Sequence, residues 1–92
     1  MNNVISDKFI VSGRVQGVGF RYHTASQASK LSVLGYAKNL PSGEVEVLAV
    51  GQSEHVEQLF IWLQQGPKTA RVEQVMRSQV TIDSVPSDFQ IL

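Results

Sequence analysis

The chain has 92 residues, 42% of them hydrophobic and 17% charged, which fits one domain over residues 1–92 and argues against a disordered protein. The absence of cysteine excludes disulfides, thiolate-bound metals and a cysteine nucleophile, and the formal net charge of zero argues against a nucleic-acid-binding protein. No apolar run approaches the ~20 residues of a membrane span, and residues 1–7 lack the parts of a signal peptide, so we expect a cytoplasmic protein without membrane contact.

A short strand, a loop and a helix are predicted first. Residues 8–12 are apolar enough to predict a strand bounded by Gly13, and residues 13–19 contain three glycines, which predict a loop with unusual backbone freedom. No Gly or Pro interrupts residues 20–34, so we expect a helix there that is stopped by Gly35. A spacing of three residues predicts that one helical face carries Tyr22, Ala25, Ala28, Leu31 and Leu34.

A hairpin follows this helix. Residues 36–39 predict a second strand, and residues 40–43, with Pro41 and Gly43, predict a turn. Charged and apolar residues alternate from Glu44 and give way to a fully apolar stretch by Val50, which is typical of a strand with one buried face. Gly51 is expected to end this third strand, so the two strands form an antiparallel pair.

A second helix and two further strands complete the pattern. Ser53 is a suitable N-cap, and Gly66-Pro67 is expected to end the helix. The strongest helical stripe of apolar residues in the chain lies between these two signals and consists of Val56, Leu59, Phe60 and Leu63. Residues 70–77 predict a fourth strand, and residues 89–91 a short edge strand. The order β-α-β-β-α-β predicts a ferredoxin-like α+β sandwich, with an antiparallel sheet and both helices on one face.

The loop before the first helix is the first candidate site. Glycines that let amides converge at a helix N-terminus form an anion site, and Arg21 adds a planar donor fork. Residues 1–40 carry five basic residues against Asp7 alone, which suits a small anionic ligand, although chance explains this imbalance equally well. An ordinary glycine-rich turn with a solvated Arg21 is the alternative. Neither a Walker loop nor a dinucleotide fingerprint fits residues 13–21.

Lys38-Asn39, at the end of the second strand, is the second candidate site. The Asn39 amide is uncharged and holds a water without titrating, although an asparagine that starts a turn is the alternative reading. His23 and His55 lie on predicted helices without metal-ligand spacing, and Glu44 and Glu46 are assigned to the solvent side of the hairpin. The sequence therefore predicts neither a metal site nor a Ser-His-Asp arrangement.

Two segments are similar to the signatures of acylphosphatases: Gly13–Arg21, and Gly35–Asn39 with Gly43, Val45 and Gly51 at their spacings. Residues 66–73 also resemble that family, so the resemblance covers about Phe9 to Phe89. It implies a ferredoxin-like enzyme that hydrolyses the carboxyl–phosphate bond of small acyl phosphates without a metal or cofactor. It further implies that Asn39 positions the water, and that phosphate is bound by Gln16, Gly17, Val18, Gly19, Phe20 and Arg21.

The expected partners are a small acyl phosphate, with inorganic phosphate or sulfate as a competing anion. We expect a monomer, because nothing suggests an obligate interface, and a free-standing enzyme, because the chain ends at Leu92. A phosphate- or acyl-phosphate-binding module without turnover is the second hypothesis. An RNA-binding domain of the same topology is a third, but the third strand lacks the exposed aromatic residues that such domains use.

Overall fold

The computed structural model of the chain describes residues 3–92. Met1 and Asn2, which belong to the segment 1–7 that lacks the parts of a signal peptide, lie outside the described residues. Within residues 3–92 the chain forms these strands and helices: β1 (Val4–Arg14), α1 (Phe20–Lys30), β2 (Leu34–Asn39), β3 (Val45–Gln52), α2 (Ser53–Gln65), β4 (Arg71–Gln79) and β5 (Phe89–Ile91). Neither helix in this part of the chain has the length and apolar character that a membrane crossing requires.

The strands form one sheet in the order β4-β1-β3-β2-β5. β1 pairs antiparallel with β3 and β4, and β2 pairs antiparallel with β3, so the predicted ferredoxin-like α+β fold is confirmed. The short last strand is also confirmed, but it runs parallel to β2, so the sheet is mixed and not wholly antiparallel. This pairing has a functional consequence, because it brings the end of the chain beside the end of β2.

One face of the sheet packs against both helices. Alternate residues of β1 and β3 point to this face, and they join buried helix residues in a single cluster that includes Phe9, Val11, Val45, Val47, Val56, Leu59 and Leu63. The stripe predicted for α2 is confirmed at its fully buried positions, and Phe60 at its edge stacks on Phe9 with ring centroids 5.5 Å apart. Because α2 and β1 share this cluster, the loop that follows β1 starts from a rigid base.

Helix α1 is shorter than predicted, and its buried face is different. It ends at Lys30 and not before Gly35, because Ser32 adopts a left-handed φ of 56° and the Val33 amide bonds back to the Ala28 carbonyl at 2.8 Å. Leu34 and Gly35 belong to β2 instead, where their pairing with β3 prevails over the helical spacing. The buried positions are Phe20, Thr24 and Ala28, four residues apart, whereas Tyr22 is 67% exposed.

Three glycine and cap predictions are also corrected. Gly13 lies inside β1, where the register with β4 shifts between Ser12 and Gly13, so the strand continues through a bulge. Gly51 lies inside β3, because its opposite residue on β1 extends the ladder beyond the predicted end. Ser53 is the first residue of α2, and Gln52 is the N-cap. Long-range pairing thus lengthens the strands at positions where local signals predict a stop.

A part-buried ion pair ties β4 to β1 and α2. Asp7 is 6% exposed, its Oδ2 accepts a hydrogen bond of 2.8 Å from Nε of Arg77, and the Arg77 Nη2 lies 2.8 Å from the same oxygen in an ion pair. The Arg77 Nη1 lies 2.7 Å from Glu57 Oε1, and the guanidinium carbon lies 4.9 Å from the centre of the Phe60 ring. Arg77 therefore neutralises a carboxylate that has little access to water.

Replacing Arg77 by methionine is expected to destabilise the fold by about 2–3 kcal/mol, less than a fully buried pair because Arg77 stays partly in water. The loss follows from a buried Asp7 carboxylate left without its donors. Urea unfolding measures the change, and Glu57→Gln, which alters only the half-exposed partner, should stay within about 1 kcal/mol of the wild type. An Arg77→Met protein as stable as the wild type would contradict this assignment.

Candidate active site

The glycine-rich segment 15–19 joins β1 to α1 and contains two glycines in the left-handed region. Gly17 has a φ of 74°, and Gly19, the N-cap residue of α1, has a φ of 77°. A Cβ at Gly17 would meet nothing within 4 Å, and one at Gly19 would meet the His23 ring only at 3.6 Å, so conformation and not space requires these glycines. Because Gly19 has no capping side chain, the first amides of α1 remain available to an anion.

Side chains on both sides anchor this loop. Gln16 Nε2 donates to the main-chain oxygens of Leu40 and Glu44, each at 2.9 Å. Thr69 Oγ1, in the segment before β4, donates to the main-chain oxygen of Val18 at 2.7 Å. The loop is therefore bonded to the β2–β3 turn on one side and to the segment that precedes β4 on the other. These bonds hold its amides in place before any ligand binds.

Arg21 lies in the first turn of α1 and contacts the residue after β5. Its Nη1 donates to the main-chain oxygen of Leu92 at 2.5 Å, and the Leu92 amide donates to the Ala37 oxygen of β2 at 2.8 Å. A guanidinium carries five donors in a planar fork, so this contact orients the group and leaves other donors for an oxyanion. The parallel pairing of β5 thus determines where the cationic group points.

Asn39 is the last residue of β2, opposite Val45 on β3. Its Oδ1 atom is buried and finds no hydrogen-bond partner among residues 3–92. An unpaired buried carbonyl oxygen costs about 1–3 kcal/mol unless a donor reaches it. Asn39 also lines the cleft described next, so its unpaired acceptor lies at the edge of that cleft.

These groups meet in one cleft of about 150 Å³. Of the residues singled out from the sequence, the cleft is lined by Gly17, Gly19, Phe20, Arg21 and Asn39. Gln16 and Val18 do not line it, because the Gln16 side chain reaches the turn and the Val18 carbonyl reaches Thr69.

Two lining residues, Tyr22 and Ile91, lie outside the segments predicted to form the site, whereas Val15 belongs to the first candidate loop. The apolar character of Ile91 within a predicted edge strand signalled a strand, but not the strand's position beside Asn39. Tyr22 was assigned to a buried face, whereas it stands exposed at the mouth of the cleft. Their positions depend on the turn at Ser32 and on the parallel β2–β5 pairing.

The other candidate groups lie outside the cleft. The Tyr36 hydroxyl donates to Glu46 Oε2 at 2.5 Å, and burial, with this bond and the carboxylate charge, raises the pKa of Tyr36 to about 12. Ser42 binds Glu44, and neither carboxylate nor either histidine lines the cleft. Within residues 3–92, no group of three or more His, Asp or Glu side chains is arranged to hold a metal ion.

Comparison with known proteins connects this geometry to one family. A sequence model of the acylphosphatase family matches residues 7–91, a range that contains the glycine-rich loop and Asn39. The acylphosphatase of Vibrio cholerae serotype O1 (El Tor Inaba) is 58% identical over 85 residues, covering 92% of this chain and 93% of the relative. The structure of an acylphosphatase from Coxiella burnetii superposes with a TM-score of 0.92 at 36% identity, covering 98% of this chain and 94% of that one. Acylphosphatase from Bacillus subtilis gives a TM-score of 0.89 at 30% identity.

Proposed function

The chain belongs to the acylphosphatase family, and from that premise we propose how its cleft performs the reaction. The protein is an enzyme that hydrolyses acyl phosphates to a carboxylate and inorganic phosphate. A binding module without turnover is not favoured, because relatives matching nearly the whole chain are acylphosphatases. The observation that carries the proposed mechanism is the meeting of the glycine-rich loop, Arg21 and Asn39 in one cleft.

We assign phosphate binding to Arg21 and to the main-chain amides of the loop residues that line the cleft, Gly17, Gly19 and Phe20. The loop lies at the start of α1, where free amides and the helix dipole favour an oxyanion. The guanidinium of Arg21, oriented by the Leu92 oxygen, matches two phosphoryl oxygens with parallel donors. Gln16 supports the site from outside the cleft, since its side chain anchors the loop.

We assign the orientation of the attacking water to Asn39. Its unpaired Oδ1 accepts one hydrogen from the water and directs an oxygen lone pair at phosphorus. The new bond joins the water oxygen to phosphorus, the bond between phosphorus and the carboxyl oxygen breaks, and the carboxylate leaves with its electron pair. The proton passes to a phosphoryl oxygen of the substrate, because no carboxylate or imidazole side chain of residues 3–92 lines the cleft.

This chemistry places modest demands on the protein. A carboxylate is a good leaving group, so the reaction needs no strong general acid. Fixed amides and one guanidinium stabilise the charge on the phosphoryl oxygens without reorganising as the reaction proceeds. A rigid loop anchored by Gln16 and Thr69 meets that requirement.

Release of phosphate from acetyl phosphate in the presence of EDTA tests the proposal. We expect the same rate before and after dialysis against the chelator, because the residues assigned to the reaction are amides, a guanidinium and a carboxamide, which are not the carboxylate or imidazole ligands that metals prefer. A rate that falls on chelation and returns with Mg²⁺ would contradict the mechanism. Inorganic phosphate and sulfate should inhibit competitively.

Replacing Gln16 by leucine is expected to weaken phosphate inhibition by roughly 5- to 30-fold, since the loop loses two anchoring hydrogen bonds at the carbonyls of Leu40 and Glu44. The inhibition constant of inorganic phosphate measures the effect. Ser12→Ala, which removes a bond between strands outside the loop, serves as the control and should leave inhibition unchanged. Unaltered inhibition in Gln16→Leu would mean that the loop keeps its shape without this anchor.

A cytoplasmic location and a monomeric state stay predictions.

A further inference from the structure

A second cavity, of about 430 Å³, lies between α1 and the segment that joins α2 to β4. We call it the basic groove and define it by His23 and Lys30 of α1, Trp62 of α2, and residues 67–69. Among residues 3–92, it shares no lining residue with the active-site cleft of about 150 Å³. Its volume falls within the ~300–1,000 Å³ of small-molecule sites, whereas that of the cleft does not.

The charge of the basic groove has one sign. Lys30 and Lys68 line it, and none of the Asp or Glu side chains of residues 3–92 does. Neither lysine forms an ion pair with any carboxylate in the described part of the chain, unlike Lys8 and Arg77, which both do. Ser26 and Gln27 add uncharged donors on the α1 side. Two unpaired ammonium groups and neutral donors around one concavity are complementary to an anion.

The remaining wall of the basic groove is flat and apolar. Trp62 is partly exposed there, beside Pro67. The Trp62 indole packs on the buried Phe20 ring with ring centroids 6.1 Å apart, and this contact restricts the orientation of the indole. A held indole and a proline ring form a platform on which a planar ligand stacks with little loss of side-chain entropy.

We propose that the basic groove binds a small organic anion that carries a planar ring, with the ring against Trp62 and Pro67 and the anionic group at Lys30 and Lys68. The two lysines favour an anionic group, and the wall formed by Trp62 and Pro67 favours a planar ring, so a ligand that carries both contacts the whole groove. A nucleoside monophosphate has this composition, and adenosine 5′-monophosphate is the probe of choice. Adenosine lacks the charge, and inorganic phosphate lacks the ring, so the pair separates the two contributions.

Fluorescence of Trp62 measures binding directly, because this residue is the only tryptophan of the chain. Excitation at the red edge of the indole band avoids absorption by adenine. We expect saturable quenching by adenosine 5′-monophosphate, and roughly tenfold weaker binding of adenosine, which lacks the charge-assisted bonds. Inorganic phosphate should not displace the nucleotide at equal concentration. Quenching by adenosine with equal affinity would overturn the proposal.

Matched variants assign the binding to the basic groove. Lys30→Ala and Lys68→Ala should each weaken the nucleotide roughly tenfold, and both residues are exposed, so the fold should be retained. Lys8→Ala removes the same charge on the opposite face of the sheet and should leave the affinity unchanged. Absence of saturable quenching, or equal losses in all variants, would overturn the assignment. Phosphate release from acetyl phosphate is measured separately, so failure here is distinct from failure of the proposed mechanism.

Discussion

Replacing Arg21 by alanine is expected to lower kcat/KM by roughly 30- to 1,000-fold and to weaken inhibition by inorganic phosphate, a loss of about 2–4 kcal/mol. In the proposed mechanism the guanidinium contacts phosphoryl oxygens both in the bound substrate and during transfer, so both KM and kcat should change. The residue stands at the edge of the fold and bonds only to the Leu92 oxygen among residues 3–92. A thermal melt should therefore change little.

Two further variants sharpen this test. Arg21→Lys keeps the charge but loses the planar fork, so activity should fall between that of the wild type and that of Arg21→Ala. Arg71→Ala removes another exposed arginine that lies outside the cleft lining and should stay close to the wild type. An Arg21→Ala enzyme that still binds inorganic phosphate normally would place the anion site elsewhere.

Replacing Asn39 by alanine is expected to lower kcat by about 100-fold or more, because an unoriented water attacks in the wrong geometry. Inhibition by inorganic phosphate should remain nearly intact, since in the proposed mechanism the Asn39 amide contacts the water and not the phosphate group. The fold should also tolerate the change, because the lost Oδ1 atom makes no hydrogen bond within residues 3–92. Steady-state kinetics and a phosphate inhibition constant measure the two effects.

Asn39→Asp is a matched control of nearly equal size. It keeps an acceptor oxygen at the water position but adds a negative charge beside the phosphoryl group, so phosphate inhibition should weaken as well. The two substitutions thus separate loss of orientation from electrostatic repulsion. A normal kcat in Asn39→Ala would remove Asn39 from the mechanism and leave the orientation of the water to the loop.

The fold class and the chemical groups of the proposed site are predictable from the amino-acid sequence alone. The α2 stripe, the hairpin turn and the glycine-rich loop are local patterns, and spacing alone identifies them. Gly17 and Gly19 behave as predicted, since a left-handed backbone is a property of the residue and its neighbours. The resemblance to acylphosphatases rests on the same short segments, which explains why Arg21 and Asn39 could be named without a structure.

The ends of the helices and strands, and the set of side chains that line the cleft, depend on tertiary packing. Leu34 and Gly35 pair with β3 as part of β2, although the sequence predicts that Leu34 belongs to the first helix and that Gly35 stops it. Hydrogen bonds between strands here outweigh a local apolar spacing. The parallel pairing of β5 with β2 places the Leu92 oxygen against Arg21 and Ile91 beside Asn39, contacts that no local pattern encodes. The Gln16 side chain, for which no local pattern predicts a role, anchors the loop to the β2–β3 turn in the folded chain. Local residue preferences specify the parts, whereas the packing of one sheet against two helices specifies their distances.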